Sequence, residues 1–174
     1  GHGLDNSTMI SGLTFQPSVV FIRRRNLTTS YVALKISSMT GDTSYMLGNA
    51  AAMNANNIQA INATSVEIGT AQSVNAAGAS YDWCVFTAPS GYGGFGSYIG
   101  TGVDSSSLVS GLTFQPDWVL VKGDTTQEAV MRGTPNVGDD SSILVNSFAN
   151  AANRIQAINA NGFEVGTASA VNSA

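Results

Sequence analysis

Histidine and cysteine are the side chains that most often carry acid–base, nucleophilic or metal chemistry near neutral pH, and each occurs once in 174 residues, as His2 and Cys84. One of each leaves no histidine-based acid–base pair, no disulfide framework and no zinc cluster within a single chain. Serine is plentiful, but a nucleophilic serine needs a base, and His2 at the start of the chain is a poor one. The carboxylates of the "GD-x-S" loops, Asp42 with Ser44 and Asp139 and Asp140 with Ser141, present oxygens as a calcium site would. Calcium takes roughly six or more of them, so an Asp turn is the better reading. Glu67 and Glu164 recur at one repeat position, but their alternation with apolar neighbours makes them an outward strand face. A glycosidase pair would have to face across one cleft. "GYGGFG", Gly91–Gly96, lacks the following helix that a phosphate-binding glycine loop requires and reads as linker. Lys35 and Lys122, the two lysines, could form a Lys–Asn staple; Lys122 aligns with Arg23, so both halves could not use it. The remaining ligand chemistry is aromatic. Tyr81, Trp83 and Tyr92 could stack on sugar rings, although Trp83, like Trp118, also suits a core or an interface. No cofactor, no metal and no catalytic residue follow from these residues, and an enzyme is not expected.

Charge narrows the partners. Charged residues make up 10% of the chain, against ~25% in an ordinary soluble domain, with a net charge of −4. Capture of nucleic acid needs clustered Lys and Arg, and the one basic run, Arg23–Arg25, reads as a strand end entering a solvated loop. No stretch approaches the ~20 apolar residues of a membrane span, and "GHGLDNSTMI" lacks a signal-peptide layout. Nucleic acid and membrane are therefore not expected partners. The sequons at Asn6, Asn26 and Asn62 are attributed to chance in so Asn- and Thr-rich a chain.

The elements that must position these residues come in two copies. "GLTFQPS" at Gly12 returns as "GLTFQPD" at Gly111, 99 positions on; "GDTS" at Gly41 and "IQAINA" at Ile58 return 97 positions on, at Gly138 and Ile155. The change is absorbed in a polar loop between Arg23 and Lys35. A period of about a hundred residues marks a repeated globular domain, since solenoid units are ~20–45 residues long.

Within each copy the pattern is β. "VVFIR" (Val19–Arg23) and "WVLVK" (Trp118–Lys122) are short β-branched runs suited to a strand buried on both faces. "VEIG" and "GFEVG" alternate as half-buried strands do. Asn161-Gly162 is the dipeptide of a type I′ hairpin, with Thr64-Ser65 in the first copy requiring a different or strained turn. "EAVMR", "SSILV" and "SYDWCVF" add strands. The Asn/Ala tracts Asn49–Asn57 and Asn146–Arg154 have room for one helical turn, although repeated Asn favours loop. Short strands with Gly, Pro and Asn punctuation predict an all-β protein of two tandem antiparallel β-sandwich, jelly-roll-like domains. The expected boundaries are 1–88 for the first repeat, 89–94 for a Gly-rich linker and 95–174 for the second. Aligning the copies, the first is expected to lack a strand equivalent to Phe95–Ile99, and the second a strand equivalent to "GASYDWCVF", Gly78–Phe86. Both would leave sheet edges open.

The phrase "GLTFQPDWVLVK", followed by "GDDS", "IQAINANGFEVGTASAVN" and, in the first copy, "AAGASYDWCVF", resembles a repeat domain of tailed-phage and prophage virion proteins, namely tail, tail-fibre or capsid-associated proteins. The resemblance spans nearly the whole chain, and its motifs are turn and core residues. It implies a structural virion or extracellular surface protein that meets copies of itself or other particle proteins through exposed strand edges. A carbohydrate-binding adhesin module contacting host glycans is the alternative.

Overall fold

The computed structural model describes residues 3–5, 7–27, 31–138, 142–146 and 150–174; His2, Asn6, Asp139, Asp140 and Ser141, singled out above, lie outside them. The protein is all-β and folds as two compact units, Gly1–Leu47 with Met53–Ala88 and Gly48–Ala52 with Pro89–Ala174. The units divide between Ala88 and Pro89, and the Gly-rich stretch 89–94 groups with the second.

The first unit runs through β1 (Ser7–Ser11), β2 (Val19–Arg24), β3 (Val32–Ile36), β4 (Tyr45–Leu47), β5 (Ile58–Ile61), β6 (Ser65–Ile68), a single helical turn α1 (Gln72–Asn75) and β7 (Tyr81–Phe86). These form a three-stranded sheet, β1-β6-β5, and a four-stranded one, β4-β3-β2-β7, with antiparallel pairing throughout. Ile10, Ile58, Val66 and Ile68 from one sheet meet Val20, Ile22, Ala33 and Met46 from the other in one core. Val74 of α1 closes its end. Two sheets sharing one apolar layer make an antiparallel sandwich.

The second unit repeats the plan with β8 (Ser105–Val109), β9 (Trp118–Val121), β10 (Val130–Gly133), β11 (Ser142–Leu144), β12 (Asn150–Ala151), β13 (Ile155–Asn159), β14 (Gly162–Val165) and α2 (Ser169–Asn172). Its sheets are β13-β14-β8 and β12-β11-β10-β9. Val119, Val121, Val130, Ile155, Val165 and Val171 fill its core.

Five expectations need correction. First, helical turns occur at Gln72–Asn75 and Ser169–Asn172, where the sequence pattern indicated none, because Val74 and Val171 are needed to plug the core, while Asn49–Asn57 is loop, as its repeated Asn favours. Second, neither hairpin uses a left-handed central residue. Among the described residues the positive φ values outside glycine belong to Asn56 and Asn153, and Gly162 opens a strand without one. Gly162 is required for another reason: a Cβ there would lie 2.1 Å from the carbonyl oxygen of Val109 on β8. Third, the residue matching buried Ser44 is Ser142, one place beyond the serine that the "GDTS"/"GDDS" alignment selects. Both are fully buried, each hydroxyl bonding backbone at the start of the hairpin's first strand, at Ile58 N of β5 and Ile155 O of β13 respectively. Fourth, Phe95–Ile99 forms no strand; its Tyr98 instead packs into the second core. Fifth, β9 is not buried on both faces: Trp118 is 54% exposed where its counterpart Val19 is 1% exposed. The reason is topological. β2 lies between β3 and β7, whereas β9 ends its sheet.

Candidate functional site

The polar residues that recur between repeats are engaged in holding the fold. Asn75 and Asn172 are buried at the ends of α1 and α2. Asn75 Nδ2 donates to Leu4 O and Gly69 O, both at 2.8 Å, and its Oδ1 accepts from Gly3 N at 3.1 Å. Asn172 does the same with Val103 O (2.6 Å), Gly166 O (2.9 Å) and Thr101 N (2.7 Å). Each amide therefore ties the lead into the first strand of its unit to the chain leaving the hairpin. A buried backbone group left unpaired costs free energy, and these amides satisfy three at once. Asn56 and Asn153, in the left-handed conformation, sit directly beneath Gly69 and Gly166. A Cβ on Gly69 would lie 2.4 Å from Asn56 O, and one on Gly166 would lie 2.6 Å from Asn153 O.

The "GDTS" carboxylate belongs to this framework. Asp42 accepts from Asn56 N at 3.1 and 3.2 Å and from Gln59 Nε2 at 3.2 Å. Gln59 falls at a bulge in β5, between Ile58 and Ala60, and the same irregularity recurs between Ile155 and Ala157. A bulge re-aims one side chain, and here it turns Gln59 toward Asp42. Glu67 and Glu164 are half-buried and each accepts from an asparagine across its own hairpin, Asn62 at 3.0 Å and Asn159 at 3.3 Å.

Each four-stranded sheet also buries one cation at the same position of its second strand. Lys35 Nζ donates to Gly41 O (2.8 Å) and Thr43 O (2.6 Å), and Arg132 donates to Ile155 O and Asn136 O, both at 3.0 Å. Burial pushes the Lys35 ammonium below its ordinary pKa, partly opposed by Asp42. Lys122, which donates to Gly123 O and Thr125 O at 2.8 and 3.1 Å, is lowered by burial as well. Both lysines hold carbonyl groups.

The three aromatic candidates are divided between the two units. Tyr81 and Trp83 belong to β7 of the first unit, and Tyr92 belongs to the second. The Tyr81 hydroxyl accepts from Ala76 N (2.6 Å) and donates to Gln72 O (2.9 Å), bracing the end of α1, while its ring packs on the core. Trp83 is 52% exposed on the strand, and Tyr92 is 87% exposed in a turn closed by Tyr92 N and Gly93 N bonding Pro89 O. Residue spacing missed Tyr98. Its hydroxyl donates to Val171 O at 2.6 Å, the second unit's counterpart of the Tyr81 brace, supplied from the segment before β8. Burial pushes the Tyr98 phenol well above its ordinary pKa.

Two shallow recesses remain. One of about 450 Å³ in the second unit has Gln127, Glu128, Arg154 and Ser169 on its wall, and one of about 290 Å³ in the first has Lys35, Met39 and Gln59. Glu128 Oε1 accepts from Asn146 at 3.2 Å. Among the described residues no three His, Cys, Asp or Glu gather as metal ligands, and no helix is long and apolar enough to cross a membrane.

The strand edges are the more distinctive surface. β7 carries exposed Trp83, Cys84 and Phe86 along the outer edge of its sheet, with Arg25 and Asp82 forming an exposed ion pair at one end. β9 carries exposed Trp118 at the outer edge of the other.

A family model described as a domain of unknown function (DUF7483) matches residues 1–174. The chain belongs to that family. The match covers both repeats, so what is matched is the tandem pair. No curated protein and no solved structure matches this DUF7483 chain. Its recurrent asparagines and glycines meet corresponding backbone groups in the two repeats, while Lys35 and Arg132 share a strand position and bond different carbonyls.

Proposed function

We propose that the chain is a structural component of a virion or another extracellular particle surface, acting by self-assembly or by binding the particle through its sheet edges. The observation that carries this reading is the pair of outer strands, β7 and β9, each with exposed large apolar side chains beside an edge that no further strand covers among the described residues. An edge of that kind is a template for pairing with another chain. The resemblance of "GLTFQPDWVLVK" and "IQAINANGFEVGT" to repeats of tailed-phage virion proteins supports the same reading, as does a surface poor in charge. Sedimentation velocity across a wide concentration range, with electron microscopy of the concentrated protein, tests it. Ordered oligomers or filaments are expected. A monomer at all concentrations that also fails to decorate particles would overturn the proposal.

The exposure of Tyr92 and Trp83 favours a second reading, a carbohydrate-binding module for host attachment. Glycan-array binding that disappears in Tyr92→Ala or Trp83→Ala is its expected signature. Silence across a broad array counts against it.

A further inference from the structure

The two repeats differ at one sheet edge, and the filled copy shows what the open copy accepts. In the first unit β2 is central, with β7 beside it in the register Val19↔Phe86, Val20↔Val85, Phe21↔Cys84, Ile22↔Trp83 and Arg23↔Asp82. In the second unit the counterpart strand β9 pairs, among the described residues, with β10 alone. The repeat correspondence sets Trp118 on Val19, Val119 on Val20, Leu120 on Phe21, Val121 on Ile22 and Lys122 on Arg23.

We propose that the open edge of β9 is an acceptor for an added strand of the β7 pattern, "SYDWCVF", which a second copy of the chain donates by releasing it from its own β2. This deepens the assembly reading above and rests on it. Three observations support the site. The edge is uncharged along Trp118–Val121 and has no proline within it, so two of the devices that deter strand addition are missing there. Its side chains are the less covered of the two copies: Trp118 is exposed where Val19 is buried, and Val119 and Val121 are less completely covered than Val20 and Ile22. The charge pattern also fits. In the first unit Asp82 stands opposite Arg23 and bonds Arg25; in the same register an incoming aspartate would stand opposite Lys122. Apolar residues at the incoming Val, Trp and Phe positions would then cover Val119, Val121 and Trp118. Strand addition of this kind draws affinity from main-chain hydrogen bonds and specificity from the alternating side chains.

The test uses the full chain and a synthetic peptide of residues 78–86 with serine in place of Cys84, read by hydrogen exchange. Saturable protection of the Trp118, Leu120 and Lys122 amides, which face the open edge, is expected, with no added protection on β2, whose edge is already paired. An Asp82→Lys peptide, which sets two cations together, and a Cys84→Pro peptide, which removes a ladder donor, should each bind at least tenfold more weakly. Without peptide, the same amides should gain protection as protein concentration rises while the β2 amides that face β7 lose it, and added peptide should return the protein to monomer with the β9 amides still protected. No protection at high peptide concentration, equal binding of a scrambled peptide, or β9 amides as protected as β2 in the dilute free chain would each overturn the site. Peptide binding without any concentration-dependent protection would overturn the second copy as the donor. Oligomers that persist while the β9 amides stay unprotected would sink this site and leave the assembly reading standing.

Discussion

At the scale of single residues, the sequence repeats its polar side chains because the backbone needs them. Asn75 and Asn172 each satisfy backbone groups on two chain segments, so truncation removes hydrogen bonds and strands their buried partners. Asn172→Ala should cost about 2–4 kcal/mol, built from roughly 1–3 kcal/mol per stranded buried group, read from urea unfolding. Asn172→Asp sharpens this. Its carboxylate would face the carbonyl oxygens of Val103 and Gly166, so its folded pKa should rise above the unfolded value. Such a group contributes most below the unfolded pKa of ~3.9 and loses that contribution as pH rises. The variant should therefore approach wild-type stability in mild acid and fall away toward neutrality. Gly69→Ala should cost about 1–3 kcal/mol, since the obstacle to its Cβ is the Asn56 backbone, while Gly96→Ala, with open space around it, should be close to neutral. Lys35 gives the opposite pH signature. Its folded pKa is lowered by burial, so the unfolded chain binds more protons in the window just below the ordinary lysine value, and its contribution to stability rises with pH there. Urea midpoints between pH 8 and 10.5 should climb less in Lys35→Arg, whose side chain stays charged and whose fit is already illustrated by Arg132 in the other repeat.

At the scale of elements, the two tyrosine braces show one structural need met from opposite directions along the chain. Tyr81 reaches α1 from the strand after it, and Tyr98 reaches α2 from the segment before the unit's first strand. Tyr98→Phe should lower stability by about 0.5–1.5 kcal/mol, the usual net worth of one hydrogen bond, in the transition of the second unit. Tyr81→Phe should cost more, because it also strands the Ala76 amide. Glycan binding that survived Tyr81→Phe while Trp83→Ala abolished it would separate the brace from any ligand role of β7. The strands β2, β6, β7, β9 and β14 were legible in the sequence, since β-branched runs and period-two alternation report directly on a half-buried pleated surface, whereas the serine-rich β1 and β8 carry no such pattern and Phe95–Ile99, aromatic and apolar, forms no strand. The helical turns were not, because four residues carry no period and are set by Val74 and Val171 plugging a core that only tertiary structure defines. The Asn161-Gly162 turn misled for a related reason. Glycine answers both to positive φ and to close backbone approach, and only the position of Val109 distinguishes the two.

At the scale of the whole molecule, low charge decides what forces can act between copies. The ion pair present among the described residues, Arg25–Asp82, is fully exposed, and pairs of that kind contribute little and are screened by salt. The surfaces proposed to meet are instead backbone edges and the apolar faces of Trp83, Phe86 and Trp118. Hydrogen bonding along a strand and burial of apolar area do not weaken as the Debye length shrinks from about 10 Å at 0.1 M salt to about 3 Å at 1 M. Self-association followed by sedimentation should therefore be as strong in 1 M sodium chloride as in 0.1 M, and stronger in sulfate, which favours apolar burial. Urea below the unfolding transition should weaken it. Cys84, exposed on β7, supplies a check on which surface is used. Alkylation of this thiol with a bulky reagent should slow association if the β7 edge is engaged, and association should protect the thiol from labelling at a rate that follows the oligomer fraction. Assembly that dissolves in high salt would instead point to the few charged side chains, Asp82 and Arg25 first among them, and would remove the sheet edges as the contact surface.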